Sequence, residues 1–362
     1  MQKPKLVLVT LEFPPDVGGI ARYLGGLVDA SHGDILVIID SSHGVASRVR
    51  SEKYDLFQYA WPHWLPMVGI CRFRQSRQEI ILVSHVFPVG TAAWISRLLG
   101  GADYVVFFHG TDVRRVTGWW KNWLLRQIVT RARLTVVNSE STKRELRTKI
   151  PSIDPLVLLP AVEERKFPSK EDARQALGIA ADEFVVLSVA RLIPRKGIDA
   201  ALRTIAEIQR SQPVKYTVIG DGPAREDLRR LQEECGADAL WITRSDDDTV
   251  NRWYAAADVF LGPGRDDGDD VEGFGMVFLE AGQAGLPVIA GRNGGVAEAV
   301  VDNVTGFIVD ATSVSDVVTA LRRLMVDPAL RERMGDAGKS RAGLGFQWSN
   351  RWAMLMKAIQ TP

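Results

Sequence analysis

The chain has 362 residues, enough for about two domains of ordinary size. Its 45 Lys+Arg against 44 Asp+Glu leave a formal net charge of +1, which argues against a protein whose main business is wrapping nucleic acid. Two cysteines, Cys71 and Cys235, lie far apart, so a disulfide framework or cysteine zinc cluster is excluded and a reducing compartment is expected. The 46% hydrophobic and 25% charged fractions are those of a soluble globular chain with material for two cores. No run approaches about 18 apolar residues, and the start MQKPKLVLVT lacks a signal-peptide layout. A two-domain cytosolic protein that can still visit a membrane surface is the expectation.

Charge is uneven along the chain. Residues 1–168 carry 22 Lys/Arg and 15 Asp/Glu, a net of +7, and the remainder carries 23 and 29, a net of −6. A basic first half and an acidic second half suggest different partners for each. In the first half, strands are expected at 5–10 (KLVLVT), 35–40, 80–84, 104–109, 134–138 and 156–159. In the second they are expected at 184–189, 216–220, 240–243, 259–262, 287–290 and 306–309. These runs of Val, Ile and Leu lack polar alternation, which fits parallel sheets covered by helices on both faces. Two sets of six read as two doubly wound α/β domains. The seam is expected at 160–168 (PAVEERKFP), giving domains of 1–163 and 164–345. The amphipathic tail 346–362 either ends the second domain or packs back on the first; we place it on the first.

In a doubly wound sheet, ligands bind beyond the carboxyl ends of the strands. After the first strand, residues 12–23 (EFPPDVGGIARY) put Gly18 and Gly19 ahead of an amphipathic run. Amides at that helix start can approach a phosphate or sugar, although an ordinary glycine turn explains the pair as well. After the fourth strand, His109 opens HGTD and can donate to a substrate hydroxyl or carry a proton; a satisfied strand-edge histidine is the alternative. Residues 113–133 then interleave Trp119, Trp120 and Trp123 with Arg114, Arg115, Lys121, Arg126, Arg131 and Arg133 and contain no acid. Tryptophan with cations suits an anionic lipid interface, the competing reading being a core face at Trp123, Leu124 and Ile128. The aromatic stretch 59–64 (YAWPHW) is a candidate lining for an acceptor opening, with His63 an ordinary loop histidine.

The second half opens with residues 191–197 (RLIPRKG), where Arg191 and Lys196 can clamp a diphosphate and neutralise it as it leaves. Arg195 reads there as a solvated basic turn residue. No Walker-type loop is present, which disfavours a P-loop ATPase. The sharpest feature is 270–285 (DVEGFGMVFLEAGQAG). Glu272 and Glu280 lie eight apart, and a helix beginning near Gly275 or Met276 places a concave surface of free amides between them. One carboxylate can then meet sugar hydroxyls and the other ribose hydroxyls.

These four positions together make the chain resemble the retaining family-4 glycosyltransferases, and within them the membrane-associated phosphatidylinositol mannoside mannosyltransferases. The resemblance spans nearly the whole chain and is strongest over 13–24, 188–197 and 253–300. It implies the GT-B fold, two Rossmann-like doubly wound parallel-sheet domains facing a cleft. It implies that Arg191 and Lys196 bind the donor diphosphate and that Glu272 holds the transferred sugar. Backbone at Phe274, Gly275, Met276 and Val277 would contact sugar and phosphates, and Glu280 the ribose. Gly18 and Gly19 would face the diphosphate or incoming hydroxyl, and His109 the sugar. Arg244 and Ser245 stand where the family reads the nucleotide base, but the segment 243–248 (TRSDDD) departs from the family pattern. The seam also departs, with Ala161 and Glu163 where the family has Gly and Asp. The acidic segments 246–248 and 266–270 invite a Mg or Mn site, yet this family relies on Arg and Lys, so no metal and no cofactor are expected.

The resemblance implies transfer of a hexose, mannose first, from a nucleoside diphosphate sugar to a lipid-linked or polyisoprenoid-linked glycan. GDP-mannose is the favoured donor, with UDP-sugars next. The implied place is cytoplasmic, peripheral on the inner face of the membrane, through the Trp119, Trp120 and Trp123 surface. The alternatives are transfer to a small soluble sugar phosphate or inositol phosphate, and a non-catalytic glycan-binding module.

Overall fold

A computed structural model describes residues 5–16, 18–47, 49–74, 79–268 and 270–361. The apolar runs assemble into two sheets whose strand pairings are all parallel. The first contains β1 (Lys5–Val9), β2 (Ile35–Asp40), β3 (Ser51–Tyr54), β4 (Glu79–Val83), β5 (Tyr104–Phe108), β6 (Leu134–Val137) and β7 (Leu156–Val157). Their spatial order is β3-β2-β1-β4-β5-β6-β7. The second contains β8 (Val185–Val189), β9 (Lys215–Ile219), β10 (Ala239–Ile242), β11 (Val259–Gly262), β12 (Val288–Gly291) and β13 (Gly306–Val309), in the order β10-β9-β8-β11-β12-β13. The expected strands are present, and β3 is an additional one. Its sequence, SEKY, carries no apolar run because it pairs only with β2 at the sheet edge and half of it is exposed.

Each sheet reverses its strand order once, at β1/β4 in the first and at β8/β11 in the second. The loops leaving those strands diverge, which opens a crevice at the carboxyl edge. Candidate motifs sit there: Gly18 and Gly19 follow β1, while 191–197 follow β8 and 270–275 follow β11.

Met1–Ala161 and Gln347–Pro362 form one compact unit, and Val162–Phe346 forms the other. In the first, the helix Trp348–Gln360 packs on the helix Gly19–Ala30. Leu355 and Ile359 are buried in the first unit's core. Arg351 Nε donates to Leu159 O at 2.9 Å, and Arg133 Nη2 donates to Ile359 O at 2.8 Å. Gly26 admits the Trp348 ring, since a Cβ there would lie 2.1 Å from Trp348 Cε2. Among the described residues, no helix is long and apolar enough to cross a membrane.

Leu355 is fully buried, so its truncation leaves a cavity. Leu355→Ala should lower unfolding stability by about 2–5 kcal/mol in urea titration. A change below about 0.5 kcal/mol, the usual surface value, would show that the terminal helix does not dock on this core.

Candidate active site

In the second unit, the chain leaves β8 through Arg191 and a single 3₁₀ turn, Pro194–Lys196. Gly197 then adopts φ 69°, and a Cβ there would meet Pro263 O at 1.8 Å, so only glycine lets this turn close on the loop after β11. That loop is strapped in place. Arg265 N donates to Arg195 O at 2.9 Å, and Arg265 Nη1 meets Asp199 Oδ1 at 2.8 Å. Asn293 Nδ2 donates to Arg265 O at 2.6 Å, while Asn293 Oδ1 accepts from Glu272 N at 3.3 Å. Gly295 N donates to Glu272 O at 3.0 Å. The backbone of Glu272 is thus held on both sides.

The Glu272 side chain points back at the basic turn. Its Oε2 accepts from Lys196 Nζ and from Arg195 Nη1, the latter at 2.7 Å. Arg195 Nε also lies 3.0 Å from Asp270 Oδ1. Arg195 is therefore not the solvated turn residue expected: two acids from the facing loop hold its guanidinium. Burial pushes the Glu272 carboxyl up, but Lys196 and Arg195 more than offset it and hold it down at about 2. Arg191 differs, being exposed with no side-chain ion pair among the described residues.

The helix Met276–Gln283 starts at Gly275, whose φ of 92° lets the chain turn sharply out of the loop. No side chain caps it; Phe278 N donates to Gly275 O at 3.0 Å, which leaves the amides of Met276 and Val277 for a ligand. Phe274 turns its ring into the core beside Phe346, which leaves only its backbone for a ligand. Glu280, one turn on, is buried; Arg165 Nη2 lies 3.4 Å from its Oε1 and Tyr254 Oη donates to its Oε2 at 3.2 Å. Arg244 and Ser245 are exposed at the end of β10, two strands from β8, and among the described residues no hydrogen bond joins their side chains to the Glu272 cluster. Asp246 beside them caps the helix Asp247–Ala256.

In the first unit, Gly18 and Gly19 open the helix Gly19–Ala30, again with no side-chain cap. Behind them, His109 follows β5 with its N–H donating to Asp112 Oδ1 at 3.0 Å and its carbonyl accepting from Asn138 Nδ2 at 3.2 Å. Its ring meets Tyr23 edge-on at 5.4 Å, and its buried Nε2 has no partner among the described residues. Burial pushes this imidazole down to about 3, with the His85 imidazole a smaller contributor. At neutral pH His109 is therefore uncharged. It suits a hydrogen bond to a hydroxyl better than carriage of a proton. Asp112 is shifted the other way, its carboxyl pushed up to about 7 by burial.

The helix Trp119–Arg131 buries Leu125, Ile128 and Val129 and leaves Trp119, Trp120 and Trp123 exposed by 83%, 52% and 53%. Trp123 is thus not a core residue; it leans edge-on against Trp94 at 6.1 Å. Four of the six cations are engaged within the unit: Arg114 by Glu145 at 2.6 Å, Arg133 by Ile359 O, Arg131 by Gln127 Oε1, and Lys121 over the Trp120 ring at 5.6 Å. Arg115, Arg126 and Arg131 are exposed.

A carboxyl held down in the folded state stabilises it above the unfolded value, and that contribution disappears as pH falls through the folded one. The melting temperature should fall between about pH 4.5 and pH 2 as Glu272 protonates. In Glu272→Gln, differential scanning fluorimetry should show a shallower fall over this window. An identical slope would mean the carboxylate is not held by Lys196 and Arg195.

Comparison with known proteins shows the family and the fold. The family model for glycosyl transferases group 1 matches residues 169–341, and that for glycosyltransferase family 4 matches residues 17–161. A GDP-mannose-dependent alpha-(1-6)-phosphatidylinositol monomannoside mannosyltransferase of Mycolicibacterium smegmatis is 31% identical over 98% of this chain and 98% of its own length. A D-inositol 3-phosphate glycosyltransferase of Actinosynnema mirum is 31% identical over 77% of this chain and 71% of its own. Sucrose-phosphate synthase from Thermosynechococcus elongatus superposes with a TM-score of 0.81, covering 98% of each chain at 21% identity. Anabaena HepE in complex with UDP and glucose gives 0.82, covering 99% of this chain and all of its own at 17% identity. The fold is GT-B, and the chain belongs to the family-4, group-1 glycosyltransferases.

Proposed function

We propose that this glycosyltransferase moves mannose, with retention, from GDP-mannose to a lipid-linked glycan of the phosphatidylinositol mannoside class at an anionic membrane surface. The observation that carries the reading is the charged cluster at the β8/β11 crossover, where Lys196 and Arg195 close on Glu272 beside an uncapped helix start. A diphosphate needs fixed cations and free amides, and this edge offers Arg191, Lys196 and the amides after Gly275. Glu272 is an acceptor that stays ionised well below neutral pH, which suits it to hold sugar hydroxyls against that diphosphate. As the sugar–phosphate bond breaks, negative charge grows on the leaving diphosphate, and Arg191 and Lys196 stabilise it without reorganising. Attack from the same face lets the departing phosphate take the acceptor proton, so no side-chain nucleophile is required. In the first unit, His109 Nε2 offers a neutral partner to a hydroxyl.

The mannosyl donor and the lipid acceptor come from the relatives at 31% identity, whose names specify both. The exposed tryptophans support a membrane surface, since aromatic rings with neighbouring arginines suit the headgroup region. Leu98 and Leu99, at the end of the helix that carries Trp94, are also exposed. The second reading, a soluble inositol phosphate acceptor, is favoured by the basic first half and by the inositol phosphate relative. Labelled GDP-mannose offered with either phosphatidylinositol monomannoside in vesicles or inositol phosphate in solution separates the two. Label in the lipid phase supports the first reading, and label only in the aqueous product overturns it.

Lys196→Ala should lower kcat/KM by about 10²–10³-fold, the usual effect of removing one transition-state donor. A rate within about threefold of wild type would remove Lys196 from the chemistry. Replacing Trp119, Trp120 and Trp123 with Ser should abolish flotation with phosphatidylserine vesicles while GDP binding is retained. Unchanged flotation would place the membrane contact elsewhere.

A further inference from the structure

The segment 163–169 has no helix or strand of its own, yet it is not a loose connector. Glu163 O accepts from Gln283 Nε2 at 3.0 Å, and Phe167 stands edge-on to Tyr254 at 6.3 Å. Between them Arg165 spreads its guanidinium over two partners, with Nη1 donating to Asn251 Oδ1 at 2.9 Å and Nη2 lying 3.4 Å from Glu280 Oε1. Every second residue, 163, 165 and 167, therefore meets a helix of the second unit, the period of extended chain. Tyr254, itself fully buried, holds the other Glu280 oxygen.

We propose that Arg165 is a positioning residue for donor binding, which with Tyr254 fixes the Glu280 carboxylate for the vicinal hydroxyls of the donor ribose. The proposal rests on the reading of Glu280 as the ribose-binding acid. The terminal torsion of a glutamate is broad, so one contact would leave the carboxylate free to rotate. Two holders on two different oxygens remove that freedom. Arginine is required because its planar fork meets Asn251 and Glu280 at once, which a lysine ammonium on its flexible stem does not reproduce. Nothing in the local sequence marks Arg165, since its partner lies 115 positions on.

The test uses the full chain with Arg165→Met, Glu280→Gln and the double variant, titrated calorimetrically with GDP and with 2′,3′-dideoxy-GDP. Arg165→Met should weaken GDP about tenfold, leave the dideoxy analogue within about twofold, and add nothing to Glu280→Gln. With GDP-mannose, its KM should rise in step while kcat stays within about threefold. Equal losses for both nucleotides, no loss, or full additivity with Glu280→Gln would overturn the proposal. If Glu280→Gln itself does not distinguish the two nucleotides, the ribose reading fails and the proposal with it. If Glu280→Gln discriminates and Arg165→Met does not, only the role of Arg165 is overturned. Should Arg165→Met fail to fold, Tyr254→Phe should show the same ribose-dependent loss, and equal losses for both nucleotides in that variant would overturn the shared clamp.

Discussion

The second unit is organised around one partly buried carboxylate held between two cations. Glu272 would be costly to bury alone, because desolvation disfavours its charge. Lys196 and Arg195 reverse that penalty, and the reversal ties the loop after β11 to the turn after β8. The two strands are neighbours in the sheet, so the ion pair closes across the point where the strand order reverses. Removing one cation leaves Glu272 with the other, and removing both leaves a largely desolvated charge uncompensated, which makes the cluster an element of the fold as well as the donor-binding candidate.

Around it, backbone geometry does most of the positioning. Gly197 and Gly294 have positive φ and approach Pro263 O and Glu272 O so closely that a Cβ would stand 1.8 and 2.0 Å away. Side chains complete the strap, with Asn293 gripping the loop at both Arg265 and Glu272. The result is a set of charges fixed before any ligand arrives, which is the condition under which electrostatic stabilisation of a leaving group is most effective.

Much of this was legible in the chain. Strands buried on both faces announce themselves as apolar runs, and glycines near strand ends mark the sharp turns. Glu272 and Glu280 stood out because acids are conspicuous in a glycine and apolar segment. What was hidden depended on distant partners. Arg195 reads locally as a basic turn because Glu272 and Asp270 lie more than 70 residues away. Arg114 and Arg133 look like free surface cations until Glu145 and the backbone of Ile359 are folded beside them. The edge strand Ser51–Tyr54 escaped notice since it needs no apolar face.

The central claim is that fixed arginine and lysine charges stabilise the leaving diphosphate during same-face transfer. Its most direct test is mannose transfer from GDP-mannose in the presence of EDTA, with the anomeric configuration of the product read by NMR. Undiminished turnover with an α-mannoside product is the expected result. Turnover abolished by EDTA and restored by added Mg²⁺ or Mn²⁺, or a β-mannoside product, would contradict it.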